Sequence, residues 1–258
     1  MEQTQQKPQF PSEEVTLPSK GLLYPEGSPL RSGVIEMKYM TAREEDILTN
    51  QNYIENGTVI DKLLQSLIIT DINYNDLLIG DKNAVLVASR ILGYGAEYSF
   101  KLSHPKTGEM EVVSVDLTKA EDRYIDESIM IKGKNEFEFT LPTTKINITF
   151  KLLTQEDEKK INNELKGLKK INKKASPELT TRLKYLIQSV NGDYEKKTIR
   201  EFVDNNLLAR DARALREYVR SIQPDIDLEF NIEFEDGHIQ ENVTIPINAS
   251  FFWPDAEL

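Results

Sequence analysis

One long stretch of this sequence occurs twice, and the repeat constrains the fold more than any other feature. Residues 77–117 align without a gap on residues 207–247, an offset of about 130 positions. The matched positions hold identical or similar residues: Leu77-Leu78 and Leu207-Leu208, Asp81 and Asp211, Ala84 and Ala214, Arg90 and Arg220, Phe100 and Phe230, Val113 and Val243. The alternative is a chance similarity between two amphipathic segments, because identity between the copies is low.

An earlier pair of segments extends the repeat toward the N-terminus. Residues 34–41 resemble residues 147–154, and an acidic helix start follows each of them. Alternating apolar and polar residues predict a strand in each segment and β-hairpins at the end of each copy. The sequence therefore predicts an α+β fold made of two tandem, divergent copies of a strand–helices–β-hairpin unit, packed as a pseudo-symmetric pair. Phe100 and Phe230 are both expected in the core.

The repeat also suggests where the chain divides. Residues 1–32 lack periodicity and predict an irregular N-terminal segment, which is followed by a first α+β unit at 33–118. Residues 119–144 predict a connector and a hairpin strand. Residues 145–258 predict the second α+β unit, which ends in an aromatic C-terminal segment.

Local signals predict where individual helices begin. Thr41 is a good N-cap, and Glu44 stands three positions later, as in a capping box. Asp81 is expected to cap a helix that starts at Lys82. Apolar residues at helical spacing predict another helix over 177–190, which Asn191 and Gly192 would end.

Composition narrows the class of protein. The chain has 258 residues, no cysteine and a formal net charge of −11. Such a charge disfavours nucleic-acid binding, which depends on neutralising phosphates, and no apolar run is long enough to cross a membrane. The five lysines within 166–174 are expected on a solvated helix face.

Motifs that carry catalysis are missing from the sequence. Neither a phosphate-binding glycine loop nor a nucleophile elbow occurs. The histidines, His104 and His238, fall near predicted hairpin turns, where we expect both to be exposed, and they are too few for a zinc site. We therefore expect no enzyme activity, no cofactor, no metal and no small-molecule substrate.

The two ends of the chain hold apolar residues outside any regular pattern. Leu22, Leu23 and Tyr24 lie between two prolines, and Phe251, Phe252 and Trp253 are adjacent near the C-terminus. Exposed aromatic anchors of this kind dominate many protein interfaces. We predict these six residues as partner-binding positions, and the alternative is that both segments cover the protein's own core.

Three stretches carry a resemblance to a known family. Residues 17–25 (LPSKGLLYP), the predicted strand that leads into residues 40–45 (MTAREE), and the ending 249–254 (ASFFWP) resemble the baseplate hub and hub-assembly proteins of T4-like contractile-tailed phages. The resemblance covers essentially the whole chain and provides no active-site residues.

The resemblance implies a non-enzymatic phage protein that works in the host cytoplasm during assembly or stays in the tail baseplate of the virion. Its partners would be other baseplate hub or tape-measure proteins, with no nucleic acid and no membrane. One interpretation is a chaperone-like factor that promotes assembly of the central hub. The alternative is a structural hub subunit retained in the virion.

Overall fold

Groups of helices and groups of antiparallel strands follow one another through the described residues, so the predicted α+β class is confirmed. The structure is a computed structural model that describes residues 11–171, 177–247 and 251–252. The elements in chain order are β1 (Ser12–Thr16), β2 (Val34–Lys38), α1 (Ala42–Leu48), α2 (Gln51–Asn56), α3 (Val59–Leu67), α4 (Ile79–Tyr94), β3 (Glu97–Ser103), β4 (Met110–Asp116), β5 (Glu121–Arg123), β6 (Phe137–Thr140), β7 (Asn147–Phe150), α5 (Gln155–Ile171), α6 (Glu178–Leu186), β8 (Ile187–Val190), α7 (Lys196–Glu201), α8 (Ala209–Ile222), β9 (Asp225–Asp227), β10 (Glu229–Glu233) and β11 (Ile239–Thr244).

Small antiparallel sheets, rather than one large sheet, organise the strands. Strand β1 pairs with β2, β3 with β4, β5 with β9 and β10 with β11, and a three-stranded sheet has the order β6-β7-β8. The described residues share one continuous cluster of buried apolar side chains that draws on both halves of the chain. The small sheets therefore pack against one common core.

The start of helix α1 follows its sequence signal. The backbone N–H and the hydroxyl of Thr41 both donate to Glu44 Oε2, at 3.0 and 2.6 Å, which confirms the predicted capping box. Lys38 Nζ lies 2.8 Å from Glu44 Oε1. Burial raises the pKa of Glu44, but the bonds from Lys38 and Thr41 outweigh it and hold this pKa below its usual range.

Replacing Glu44 with glutamine is expected to lower the free energy of unfolding by about 1–3 kcal/mol at neutral pH. A carboxylate whose pKa is lowered by folding stabilises the protein above its unfolded pKa, and this contribution is lost as pH falls through the folded value. The difference from wild type should therefore shrink in acid. Urea unfolding at neutral and at acidic pH measures it, with Asp46→Asn, at an exposed position of the same helix, as the control. A difference that does not change with pH would contradict this role.

The two hairpins, β3-β4 and β10-β11, have matching pairs at their bases. Phe100 pairs with Val113 and Phe230 with Val243, as the repeat alignment requires. The register of the second hairpin then shifts by one residue beyond Phe230. Phe100 is buried, as expected, whereas Phe230 is only partly buried, so the prediction of two equal core positions is wrong for Phe230.

The tips of the two hairpins contact each other. The Glu235 backbone N–H donates to Glu111 Oε2 at 3.2 Å, and the ring of His104 packs edge-on against Phe234 at 4.6 Å between centroids. His104 is buried in this contact, so its placement on an exposed turn is corrected.

Two further sequence predictions differ from the structure. Helix α6 ends at Leu186, and the next residues form β8 instead of continuing the predicted helix. Ile187 and its neighbours in β8 are nearly all buried, so the sequence of this strand has no clear period of two that would predict it. The N-terminal segment 1–32 was expected to be irregular, but Ser12–Thr16 forms a strand. That strand is mostly exposed and pairs through its backbone, so it carries almost no apolar signal.

The two halves of the chain meet closely at the start of helix α4. Leu78 forms an antiparallel bridge with Thr154. Asn83 Nδ2 donates to Asp225 Oδ1 at 2.9 Å. An ideal Cβ on Gly80 would lie 1.8 Å from the Pro224 carbonyl oxygen, so only glycine lets the backbone before β9 cross the helix here.

Candidate functional site

The apolar N-terminal residues lie inside the protein. Leu23 and Tyr24 are 2% and 4% exposed, and Leu22 is partly buried against the core. The Tyr24 hydroxyl donates to Asp81 Oδ2 at 2.6 Å and accepts a bond from the Leu78 backbone N–H at 3.0 Å. Burial, reinforced by the Asp81 carboxylate, raises the pKa of Tyr24, so the hydroxyl keeps its proton for this bond.

The aromatic C-terminal residues are also placed against the core. Phe251 and Phe252 are 0% and 1% exposed. The Phe251 ring packs edge-on against Tyr98 at 5.0 Å between centroids, and the Tyr98 hydroxyl donates to the Pro246 carbonyl at 2.9 Å. Trp253 lies outside the described residues. The structure thus brings Leu23 and Tyr24, and separately Phe251 and Phe252, into the protein's own core.

The Asp81 carboxylate is the centre of the N-terminal attachment. It is fully buried and accepts bonds from the Ser19 backbone N–H at 2.9 Å, the Ser19 hydroxyl at 2.7 Å and the Tyr24 hydroxyl. Burial raises its pKa, and these donors counteract that rise only in part. Asp81 is the third residue of helix α4, which begins at Ile79, so its prediction as the N-cap is corrected.

Asp211 makes a comparable attachment near the start of helix α8. It is also the third residue of its helix and is fully buried. Its carboxylate accepts bonds from the backbone N–H groups of Thr143 and Thr144, at 2.7 and 3.0 Å, and from the Thr144 hydroxyl at 2.8 Å. Burial raises the pKa of Asp211, but these bonds outweigh it and hold the pKa below its usual range. Both aspartates therefore tie a proline-containing turn to a helix.

A groove with a basic lining was not predicted from the sequence. It has a volume of about 370 Å³ and lies between helices α5, α6 and α7 and strand β8. The cations of its lining are Lys151, Lys160, Lys184, Lys196 and Arg200, and the acidic residue of the lining is Asp157. We name it the basic groove.

Ion pairs hold most of these cations in place. Lys151 Nζ lies 2.7 Å from Asp157 Oδ2. Arg200 makes two parallel bonds to Glu164, at 3.0 and 2.9 Å, and this guanidinium holds the pKa of Glu164 below its usual range. Two further pairs join groove cations to carboxylates outside the lining: Lys184 with Asp204 at 2.6 Å, and Lys160 with Glu156 at 2.8 Å.

An exposed aromatic residue stands at the edge of the basic groove. Tyr194 is 58% exposed and also lines a second concavity, of about 540 Å³, over the outer face of the β6-β7-β8 sheet. That face presents polar side chains, such as Thr140, Asn147 and Thr149. Lys196, two residues beyond Tyr194, is exposed, and among the described residues it makes no ion pair.

The histidines lie together at the hairpin tips. The His104 and His238 rings are 5.6 Å apart between centroids. His104 Nδ1 accepts bonds from the backbone N–H groups of Lys106 and Thr107, both at 3.2 Å, so its lone pair is already used within the turn. Within the described ranges, no cluster of three or more histidine, cysteine, aspartate or glutamate side chains is placed to hold a metal ion.

The helices give no membrane signal. Across the part of the chain that the structure describes, every helix is too short or too polar to span a bilayer.

Comparison with known proteins identifies the family. A family model described as T4 bacteriophage base plate protein matches residues 13–253. Comparison with curated proteins and with solved structures gives no match. The matched range includes the loop tied to Asp81, both hairpins and the basic groove, and it confirms the resemblance seen in the sequence. The chain therefore belongs to the family of T4 bacteriophage base plate proteins.

Proposed function

We propose that this baseplate protein promotes assembly of the central baseplate hub by binding other hub or tape-measure proteins, and that it does so without catalysing a reaction. The observation that carries the proposal is the family match over nearly the whole chain. The basic groove supports the non-catalytic part of the proposal, because ion pairs between neighbouring side chains hold most of its ionisable groups. Groups held in this way suit binding better than proton transfer.

The charge of the chain favours a transient binding protein over a permanent subunit. A net charge of −11 opposes indiscriminate association with other acidic proteins. A protein of this kind acts in the host cytoplasm during assembly and then leaves the particle. The alternative is a structural hub subunit that stays in the virion tail.

Quantitative mass spectrometry of purified phage particles and of infected-cell lysates tests the proposal. We expect the protein in lysates, in complexes with other tail proteins, and its absence from particles. A fixed copy number in every particle would establish the alternative, a structural subunit. Recovery from lysates with no other tail protein attached would refute both.

We also propose that the chain arose by internal duplication. The equivalent attachments at Asp81 and Asp211 support this. So do Lys20 and Lys145, which follow the two proline-containing turns and both have a positive φ, of 51° and 60°. Such values are uncommon outside glycine.

The helix starts of the two halves add a further match. Thr154 donates to Asp157 Oδ2 through its N–H and its hydroxyl, both at 3.0 Å, as Thr41 does to Glu44. Lys151 pairs with Asp157 as Lys38 pairs with Glu44. The packing around the copies differs: Arg90 and Leu78 are buried, while the matched Arg220 and Leu208 are exposed. In this proposal the two copies share their local hydrogen bonds and ion pairs but differ in the packing around them. The domain boundaries at 32, 118 and 144 stay predictions.

Partner contact through the two ends of the chain also stays a prediction. Because Leu23, Tyr24, Phe251 and Phe252 are buried, a partner reaches them only if their segments leave the core. Hydrogen exchange of residues 17–25, measured with and without a captured tail protein, tests this. Faster exchange in the complex supports release of the segment, and unchanged or slower exchange opposes it.

A further inference from the structure

We propose that the basic groove binds an acidic segment of a partner protein, with Tyr194 packing against that segment at the groove edge. This inference rests on the proposed function and names the chemistry of the partner. Its starting point is the contrast between the groove and the rest of the chain. The lining holds five cations and one carboxylate, and three further carboxylates, Glu156, Glu164 and Asp204, pair with these cations from outside the lining. With these partners counted the groove keeps one positive charge in excess, whereas the whole chain carries a net charge of −11.

That contrast in charge directs an acidic segment to the groove. An acidic segment is repelled by an acidic protein as a whole and attracted to the cations of the basic groove. Electrostatic complementarity of this kind adds more to specificity and association rate than to raw affinity.

The side chains of the groove suit carboxylate ligands. Arg200 is held flat by two bonds to Glu164 and keeps further N–H donors, and Lys196 is exposed at the rim. Lys160 is half exposed and points its ammonium toward an exposed glutamate, so a competing carboxylate exchanges with that pair at little cost. The rim cations are thus available to an incoming acidic side chain.

Size and shape favour an extended segment. A volume of about 370 Å³ holds a few side chains and no folded domain. Tyr194 connects the groove to the polar face of the β6-β7-β8 sheet, so a chain that leaves the groove continues across Tyr194 onto that face. Tyrosine offers a large contact area with little loss of side-chain entropy, as at many interface hot spots.

A nucleic acid fits the same surface less well. Its affinity depends on how many phosphates are neutralised, and the carboxylates of Asp157, Glu164 and Asp204 already engage groove cations. These carboxylates repel a continuous phosphate backbone. A short acidic peptide carries fewer negative charges past these carboxylates than a polynucleotide does.

Fluorescence anisotropy with a labelled hexaglutamate peptide tests the groove in the full-length chain. The test variant is Lys160→Glu/Lys196→Glu, and the matched control is Lys159→Glu/Lys197→Glu. The control changes the net charge equally, on the same two helices, at exposed neighbours outside the groove. We expect the test variant to weaken peptide binding at least tenfold and the control to change it less than about threefold. Tyr194→Ala should weaken it as well, and thermal unfolding checks that all variants fold.

Each result has one meaning for the groove. Equal loss in the two double variants would show that net charge alone attracts the peptide and would overturn the proposal. Tighter binding of an oligothymidylate than of hexaglutamate would overturn it in favour of nucleic acid. A dimer in sedimentation that only the test variant disrupts would identify a second copy of this chain as the occupant, which also overturns it.

Co-purification from infected cells separates this inference from the proposed function. If tail proteins are recovered equally with wild type and with Lys160→Glu/Lys196→Glu, the groove proposal fails and the proposed function stands. If hexaglutamate binds the groove but no tail protein is recovered with wild type, the proposed function fails and the groove remains a binding site.

Discussion

Replacing Asp81 with alanine is expected to lower the free energy of unfolding by about 3–5 kcal/mol. The change leaves three donors without an acceptor in a buried site: the Ser19 N–H, the Ser19 hydroxyl and the Tyr24 hydroxyl. Each unsatisfied buried group costs about 1–3 kcal/mol, and the loop 17–25 loses its attachment to helix α4. Urea unfolding, followed by circular dichroism, measures the loss.

Asp211 aligns with Asp81 in the repeat, so urea unfolding of the Asp211→Ala variant tests the proposed duplication. It also removes the acceptor of three bonds, from Thr143 and Thr144, so we expect a loss of the same order, about 2–4 kcal/mol. Asp71→Ala, at an exposed position, is the control and should stay within about 0.5 kcal/mol of wild type. A loss below about 1 kcal/mol at Asp211 would argue against equivalent roles.

The regular elements were predictable because their sequence periods are local. Alternating apolar and polar residues predict a β-hairpin at the end of each copy, and the β3-β4 and β10-β11 hairpins confirm both. The same reasoning failed for β8, where Ile187 and Val190 are three residues apart and both buried. A strand covered on both faces has no alternation to detect.

The role of the N-terminal loop was not predictable, because its partner is distant in the chain. Ser19 and Tyr24 contact Asp81, 62 and 57 positions away. Nothing in the spacing of residues 17–25 indicates that contact, although their apolar character led to the alternative that this segment covers the protein's own core, where Leu23 and Tyr24 lie. The Asp81 position was misread as a helix cap for the same reason: its side chain accepts bonds from a separate loop, while a cap accepts them from its own helix.

The basic groove was missed for a related reason. Its cations come from separate elements between Lys151 and Arg200, and each of them looks ordinary in sequence. The lysine run at 166–174 is denser in the sequence than the groove cations are. Its described part forms the exposed end of helix α5, as predicted for a solvated face. Charge clustering in a fold depends on which elements pack together, and single-sequence patterns do not contain that information.

Replacing Gly80 with alanine is expected to lower the free energy of unfolding by about 3 kcal/mol or more, because the added methyl group overlaps a backbone atom. Its Cβ would lie 1.8 Å from the Pro224 carbonyl oxygen and 3.0 Å from the Asp225 Cα. Relief requires helix α4 to separate from the backbone before β9, and this also strains the bond from Asn83 to Asp225. Thermal and urea unfolding measure the loss.

Gly167→Ala is the matched control in the same kind of element. Gly167 lies in helix α5, and an added Cβ would meet no described atom within 4 Å apart from its chain neighbours and the backbone of its own helix. Alanine is therefore expected to raise stability by about 0.5–1 kcal/mol. The two stability changes are expected to have opposite signs, which distinguishes the effect of a close backbone contact at Gly80 from the effect of helix propensity at Gly167. In the repeat alignment Arg210 stands where Gly80 does, and it is exposed. The glycine therefore serves the contact between the two halves at α4, and an unchanged stability of Gly80→Ala would show that this contact is looser than the geometry indicates.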